Sequence, residues 1–269
     1  WLVEYDCCDL GALVLPRFVV DGKLDRPLLK KTIETAVRFL DDVLTVNNYP
    51  LPEIKETCSA IRRIGLGVTG LSTLLLMLGM KYGSPESLEY VNSLMNFIKN
   101  CAYKASVELA KEKGAFPVFD AEKFLLGGFA KTLKPSLREE IRINGMRNAT
   151  LLTIAPVGTG SMVCNVDSGV ESSFGPGWKR RFMDGDKLKE EIVIHPLFKE
   201  MYLASKDVDH FRSVYDLSLR DHFEMQRTCQ RHIDNAVSKT INIPQGISQQ
   251  ELSDLYMEFF PELKGVTVY

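Results

Sequence analysis

One stretch of this sequence strongly limits the possible folds, because a buried-strand pattern in it ends abruptly at a proline. Residues 149–154 (ATLLTI) are apolar and rich in β-branched side chains, as expected for a strand inside a sheet. Pro156 ends that run, since proline has no N–H group to donate to a neighbouring strand. Glycines and hydroxyl side chains then fill most of residues 157–161. The segment therefore predicts a buried strand that leads directly into a loop.

This loop has the composition of an anion-binding site. Glycines let the backbone turn several N–H groups toward one point, and the hydroxyl groups add further donors. A helix that begins near Ser161 would add the positive end of its dipole, which favours a phosphate group. The candidate phosphate-binding residues are Pro156, Val157, Gly158, Thr159, Gly160 and Ser161. An ordinary strand-to-helix turn uses the same residue types, so the loop by itself leaves both interpretations open.

Composition argues against several classes of protein. The 269 residues carry 33 Lys and Arg against 35 Asp and Glu, with no basic stripe of the kind that nucleic-acid binding requires. The longest apolar run, residues 74–78, is far shorter than the roughly 20 residues of a membrane span, and no signal-peptide pattern opens the chain. We therefore expect a cytoplasmic protein with no nucleic-acid or membrane partner.

The cysteines and histidines show no metal-binding pattern. The six cysteines, at positions 7, 8, 58, 101, 164 and 229, lack the paired spacing of a zinc site and do not resemble a secreted disulfide framework. The four histidines are scattered without a second ligand at metal spacing, so we expect packing or surface roles for them. No metal site is expected, and most cysteines should be buried as small apolar residues.

Hydrophobic periodicity predicts alternating helices and strands. Apolar residues recur every three to four positions over residues 28–46 and 85–113, and Ser84 is a suitable cap for the second helix. Further helices are predicted at 136–141, 218–232 and 248–260, and strands at 10–20, 149–154, 239–243 and 265–269. The last two strands flank a helix, which is a βαβ unit and predicts a parallel sheet. Without a linker or repeat, residues 1–269 are expected to form a single α/β domain.

Residues 65–70 (GLGVTG) match the Gly-x-Gly-x-x-Gly pattern of dinucleotide-binding proteins. That function requires a buried strand directly before the glycines, whereas residues 54–63 are polar, charged and helix-like. We therefore interpret these glycines as positions of close packing between helices and not as a nucleotide site.

Several segments resemble the large subunits of ribonucleotide reductases, and the resemblance covers essentially the whole chain. Residues 147–174 are similar, nearly residue for residue, to the substrate-phosphate loop of that family, and residues 6–12 (DCCDLGA) resemble its Cys-x-Leu-Gly-Ser motif. Two further signatures are matched by residues 48–52 with 62–67 and by residues 225–226 with 238–244. The Ala-Pro-x-Gly-Thr-x-Ser pattern is similar to the adenosylcobalamin-dependent class II enzymes, since class I enzymes typically carry Glu where Gly158 stands.

This resemblance implies a fold and a chemistry. The fold would be the second half of the ten-stranded α/β barrel of ribonucleotide reductases, truncated at both ends, with the N-terminal half and its radical-forming cysteine outside this chain. The reaction would reduce ribonucleotides to 2′-deoxyribonucleotides for DNA synthesis, with adenosylcobalamin as cofactor. Cys8 aligns with a reducing cysteine of the family and would pair with a cysteine outside this chain, whereas Cys7 would point to the opposite face. The implied partners are the ribonucleotide substrate, a thioredoxin- or glutaredoxin-type reductant, the missing N-terminal half and a second copy in a homodimer.

Two alternatives stay open at this point. One is a class I large subunit, which receives its radical from a separate di-iron subunit. The other is a non-catalytic nucleotide-binding or scaffolding fragment that keeps the phosphate loop without turnover. Cys8 argues against the second alternative, since a pure binder does not need that thiol, whereas the missing radical loop argues for it.

Overall fold

The predicted alternation of helices and strands is present in the computed structural model, which describes residues 3–204 and 208–269. The helices are α1 (Arg26–Val46), α2 (Pro52–Ile61), α3 (Leu71–Met77), α4 (Pro85–Lys113), α5 (Ala121–Leu126), α6 (Pro135–Asn144), α7 (Gly158–Cys164), α8 (Pro196–Leu203), α9 (Leu219–Gln230) and α10 (Gln249–Phe259). The strands are β1 (Asp9–Val14), β2 (Val19–Val20), β3 (Lys23–Leu24), β4 (Ile64–Thr69), β5 (Gly177–Asp184), β6 (Lys187–Ile194), β7 (Thr240–Ile241) and β8 (Thr267–Val268). The expected α/β class is confirmed.

Several extended segments pair in parallel, each with the next of them along the chain. β1 pairs in parallel with β4 along the full length of both strands. Parallel bridges then join Leu66 of β4 to Leu152, and Ile154 to Val237, which lies just before β7. The predicted βαβ unit at the C-terminal end is confirmed, because β7 and β8 are parallel and α10 lies between them. Five extended segments therefore lie side by side in the order in which they occur in the sequence.

The two longest helices are placed where their periodicity predicts. The apolar face expected for α1 is buried and comprises Leu29, Ile33, Val37, Leu40 and Leu44. α4 begins at Pro85 behind the predicted cap, and the Ser84 hydroxyl accepts a hydrogen bond from the Ser87 N–H at 3.2 Å. Both helices pack into one apolar core with β1 and β4. Their positions follow from local signals in the sequence, which are the continuous apolar face of α1 and the Ser84 cap of α4.

The interpretation of residues 65–70 as packing between helices is wrong. Residues 64–69 form β4, a strand in which every residue is buried. A Cβ atom on Gly67 would lie 2.3 Å from the carbonyl oxygen of Thr153, so the glycine lets two parallel segments approach closely. The dinucleotide function stays excluded on different grounds, because two of the glycines lie within the strand and not in the turn that follows it.

Several predicted strands are shorter or less regular than expected. The strand predicted at 10–20 ends at Val14, where a 3-10 helix (Leu15–Phe18) begins. Residues 149–154 are not a regular strand, because the carboxylate of Asp234 accepts the N–H groups of Leu151 and Leu152 at 2.8 Å each. That buried carboxylate takes donors that a neighbouring strand would otherwise bind. Among the described residues, no helix combines the length and apolar content needed to cross a membrane.

Candidate functional site

The predicted phosphate loop lies at the N-terminal end of α7. The helix begins at Gly158, three residues earlier than expected, and Val157 is its N-cap. The first N–H groups of a helix have no acceptor within the helix, so those of Gly158, Thr159 and Gly160 are available to a ligand. All three residues are exposed, and a Cβ on Gly158 would meet no atom within 4 Å. This geometry leaves room for an anion at the start of α7.

The six loop residues do not contribute equally. The N–H of Val157 already donates to the Ser168 hydroxyl at 3.1 Å. The Ser161 hydroxyl is turned inward, because it donates to the Gly158 carbonyl at 2.8 Å and its residue is only 5% exposed. Pro156 has no N–H to offer. The backbone N–H groups of residues 158–160 are therefore the backbone donors of the loop that a ligand can reach.

A buried carboxylate fixes the segment that follows the loop. Asp167 accepts hydrogen bonds from the hydroxyls of Thr73 at 2.7 Å and Ser173 at 2.6 Å, and its Oδ2 lies 3.3 Å from Nε2 of His195. Burial opposes ionisation of this carboxyl group, but the hydrogen bond and charge of His195 lower the pKa of Asp167 below its ordinary value. The Asp167 carbonyl also accepts the N–H of Gly70 at 2.8 Å. These contacts anchor the end of α7 to the junction of β4 and α3.

Cys8 lies directly before β1, and its sulfur packs on the backbone of β4. A Cβ built on Gly65 would be 2.7 Å from the Cys8 Sγ and 2.5 Å from Cγ2 of Thr153. The thiol and the extended segment that leads into the phosphate loop therefore meet over the same glycine. Burial raises the pKa of Cys8 to about 11, although the guanidinium of Arg63 opposes this shift. The sulfur consequently holds its proton at neutral pH.

Cys7 has a different neighbour from Cys8. Its Sγ lies 3.1 Å from the Sγ of Cys58 on α2. Next to this pair, the guanidinium of Arg63 donates to Asp6 at 2.6 Å and to Asn235 at 2.9 Å. The Arg63 side chain thereby ties the segment that carries both cysteines to the segment that precedes β7.

Sequence reasoning missed a buried cluster around Lys239. The Nζ of Lys239 lies 3.0 Å from a Glu171 carboxylate oxygen and 3.1 Å from Nδ1 of His222, and the lysine side chain is fully buried. The other Glu171 oxygen accepts the N–H of Thr240 at 2.6 Å. Burial lowers the pKa of Lys239, and the carboxylate of Glu171 counteracts that shift. The cluster ties the segment after α7 to β7.

The same cluster keeps a histidine neutral. Burial, together with the positive charge of Lys239, lowers the pKa of His222 to about 4. Its Nδ1 can then accept a hydrogen bond from the lysine, which a protonated ring could not do. The only sequence signal for this arrangement was the occurrence of Glu171 and Lys239 in two of the segments that carry the family resemblance.

Comparison with known proteins identifies relatives over the whole chain. The model of the family described as ribonucleotide reductase, barrel domain, matches residues 3–269. A vitamin B12-dependent ribonucleoside-diphosphate reductase of Thermoplasma acidophilum is 33% identical over 100% of this chain and 36% of its own length. The protein of that name from Mycobacterium tuberculosis is 32% identical over 100% of this chain and 40% of its own length.

A second group of relatives has a different name. The ribonucleoside-diphosphate reductase subunit alpha of Treponema pallidum is 29% identical over 94% of this chain and 29% of its own length. The chain thus spans about 40% or less of the length of these curated relatives. The match to the family model extends over nearly every residue, from the segment before Cys8 to the end of β8. The chain therefore belongs to the ribonucleotide reductase barrel-domain family.

Proposed function

We propose that this chain is the C-terminal half of the catalytic barrel of a ribonucleotide reductase that converts ribonucleotides to 2′-deoxyribonucleotides. The observation that carries this proposal is the position of Cys8 relative to the phosphate loop. The Cys8 sulfur lies beside Thr153, on the segment that leads directly into the loop at Pro156. The proposed reducing thiol and the proposed phosphate donors therefore lie on adjoining parts of the chain, as a ribose joined to its phosphates requires.

The proposed chemistry uses Cys8 as one of two reducing thiols. Replacement of the ribose 2′-hydroxyl by hydrogen releases water and needs two electrons and two protons, which two thiols supply when they close to a disulfide. The raised pKa of Cys8 favours this role, because the thiol holds the proton that must be delivered. The second cysteine would come from the missing N-terminal half. A thioredoxin- or glutaredoxin-type dithiol would then reduce the disulfide.

The phosphates of the substrate would bind at the start of α7. The open N–H groups of Gly158, Thr159 and Gly160 would donate to the phosphate oxygens, and the helix dipole adds positive potential. The relatives named ribonucleoside-diphosphate reductases support a diphosphate as the substrate. The five parallel segments support the expectation that this chain supplies half of a ten-stranded barrel.

The adenosylcobalamin implied by the resemblance would supply the radical-initiating chemistry when bound. The names of the B12-dependent relatives support this cofactor. The groove between β1 and α1 does not fit it, because the groove has a volume of about 400 Å³ and its lining is almost entirely apolar. A corrinoid ring with its amide side chains is larger and more polar than this space. We therefore assign no residue of this chain to the cofactor.

The proposal is tested by two matched pairs of variants in an enzyme that includes the missing half. Cys8→Ser should abolish multiple turnover in a thioredoxin-coupled assay and leave nucleotide binding intact, because a hydroxyl cannot form the disulfide. Cys7→Ser is its control and should be close to wild type. The opposite ranking would contradict the assignment of Cys8.

The second pair tests the phosphate loop. Gly158→Val should raise the KM for the nucleotide about tenfold or more, because crowding that removes one charge-assisted hydrogen bond costs about 1.5 kcal/mol. Backbone strain is not part of this expectation, since Gly158 does not have a positive φ. Met162→Ala, an exposed change on the same helix, is the control. An unchanged KM in Gly158→Val would refute the loop assignment.

A further inference from the structure

Two cysteines that the proposed reaction does not use lie in direct contact. The sulfurs of Cys7 and Cys58 are 3.1 Å apart, although 51 residues separate them in the sequence. Cys58 lies on α2 and is 1% exposed, whereas Cys7 is only partly buried. The pair therefore combines one thiol that small solutes can reach with one that is enclosed by the protein.

Both sides of this pair are held in place. On the Cys7 side, the carboxylate of the preceding residue Asp6 forms an ion pair with Arg63 at 2.6 Å, and both side chains are at least nine-tenths buried. On the Cys58 side, the chain leaves α2 at Arg62, whose guanidinium binds the buried carboxylate of Asp41 at 2.8 Å. The contact between the sulfurs is thus fixed by two buried ion pairs, one on each segment.

We propose that Cys7 and Cys58 form a redox-sensitive pair that closes to an intramolecular disulfide when the protein meets a peroxide. In this reaction one sulfur attacks a peroxide oxygen, which gives a sulfenic acid and, from hydrogen peroxide, one water molecule. The second sulfur then attacks the sulfenic sulfur, and a second water leaves. Two thiols lose two electrons and two protons in total, and the peroxide is reduced to two water molecules.

The geometry requires little movement for this step. A disulfide has a sulfur–sulfur distance of about 2.05 Å, so the two atoms must approach by about 1 Å. Small side-chain rotations can provide such a shift. Burial and the hydrogen bond with Cys58 raise the pKa of Cys7 to about 12, so this sulfur holds its proton at neutral pH and must release it when it attacks the peroxide. The sulfur of Cys8 faces Gly65 and Thr153 and takes no part.

The bridge would have a mechanical consequence. It would tie the segment that carries Cys8 to α2, and α2 leads directly into β4, on which the Cys8 sulfur packs. A disulfide across 51 residues restricts the unfolded chain, so the oxidised protein should melt several degrees higher than the reduced one. The increase should disappear after treatment with dithiothreitol.

The test is mass spectrometry of the folded protein after brief exposure to hydrogen peroxide. Free thiols are blocked with N-ethylmaleimide, and trypsin then releases Cys7 and Cys8 together in the peptide that ends at Arg17 and Cys58 in peptide 56–62. We expect these two peptides to be linked, with a mass two hydrogens below their sum plus one N-ethylmaleimide group on the thiol that is not joined. Since Cys7 and Cys8 share one peptide, the variants must decide which of them is joined.

Cys7→Ser and Cys58→Ala should each abolish the link and the shift in melting temperature, whereas Cys8→Ser should retain both. Cys58→Ala keeps the buried site apolar, and circular dichroism of the reduced variant verifies that it folds. The proposal is overturned if the link persists in Cys7→Ser, is lost in Cys8→Ser, or forms only after the protein is unfolded in urea. Absence of the link in the folded wild-type protein would overturn it as well.

Discussion

The buried pair of Lys239 and Glu171 gives the sharpest prediction about stability. The Glu171→Gln variant keeps the shape of the side chain and removes the charge that faces the buried ammonium group at 3.0 Å. Lys239 must then either stay charged without its counter-ion or release its proton. His222 and the carbonyl of Thr240 remain as neutral acceptors, but neither carries the negative charge that stabilises the ammonium.

The size of the effect follows from these two possibilities. Removal of one partner from a buried ion pair typically costs 3–5 kcal/mol, and the lower value of about 3 kcal/mol applies here because Glu171 is 25% exposed. Release of the proton from a lysine with an unfolded pKa of about 10.4 costs roughly 4.6 kcal/mol at pH 7 but only about 1.9 kcal/mol at pH 9. The loss of stability should therefore shrink as the pH rises.

The sign agrees with the direction of the pKa shift. Burial lowers the pKa of Lys239, so the unfolded chain binds this proton more tightly than the folded variant does. The free energy of unfolding of the variant therefore rises with pH, up to the unfolded pKa of about 10.4. The Glu171→Gln/Lys239→Met double variant should recover much of the loss, because an apolar side chain in place of a buried charge is often tolerated.

Urea denaturation at pH 7 and pH 9 provides the measurement. Glu112→Gln is the control, since it removes the exposed partner of Arg38 and should change the free energy of unfolding far less. A deficit in Glu171→Gln below about 1 kcal/mol at pH 7, or one that stays the same at pH 9, would refute the reasoning. The first result would mean that the ion pair contributes little to stability. The second would mean that Lys239 keeps its proton in the variant.

Three further predictions concern the packing, the pH dependence and the capping of the fold. Gly67→Ala should lower the free energy of unfolding, measured in urea, by about 1–3 kcal/mol, because its Cβ would lie 2.3 Å from the carbonyl oxygen of Thr153. Gly128→Ala is the control and should be nearly neutral, since a Cβ there would meet no atom within 4 Å. Stability should fall as the pH decreases from about 6.5 toward 4, because the unfolded chain protonates His222 and His232, which the folded protein keeps neutral; His222→Gln should therefore reduce this dependence by roughly half. Ser84→Ala should cost about 1 kcal/mol through loss of the α4 cap, and an unchanged urea midpoint would contradict that role.

Local signals in the sequence were sufficient to predict the two longest helices, α1 and α4. The apolar residues of α1 recur on one face, and that face is the one that is buried, because a helix with a single apolar stripe has one way to leave water. The Ser84 cap set the start of α4 in the same way. The C-terminal βαβ unit was also predicted, since the Ser248 cap and the flanking β-branched residues are local features.

Tertiary contacts decided how the glycines and the loop are used. The glycines of residues 65–70 suit helix packing and strand packing equally well as a pattern, and only the neighbouring Thr153 shows that β4 needs them. The sequence indicated an anion-binding loop at residues 156–161. It could not show that Ser168 occupies the N–H of Val157, because that contact depends on how the chain returns after α7.

The residue pattern alone predicted the α/β class, the longest helices, and the candidates for the reducing thiol and the phosphate loop. The tertiary structure decided the pairs that join distant segments. Cys7 meets Cys58 across 51 residues and Lys239 meets Glu171 across 68, and neither pair has a periodicity or spacing that marks it. The physical reason is that helix periodicity and caps act over a few residues, whereas a contact between buried side chains exists only after the whole sheet has assembled.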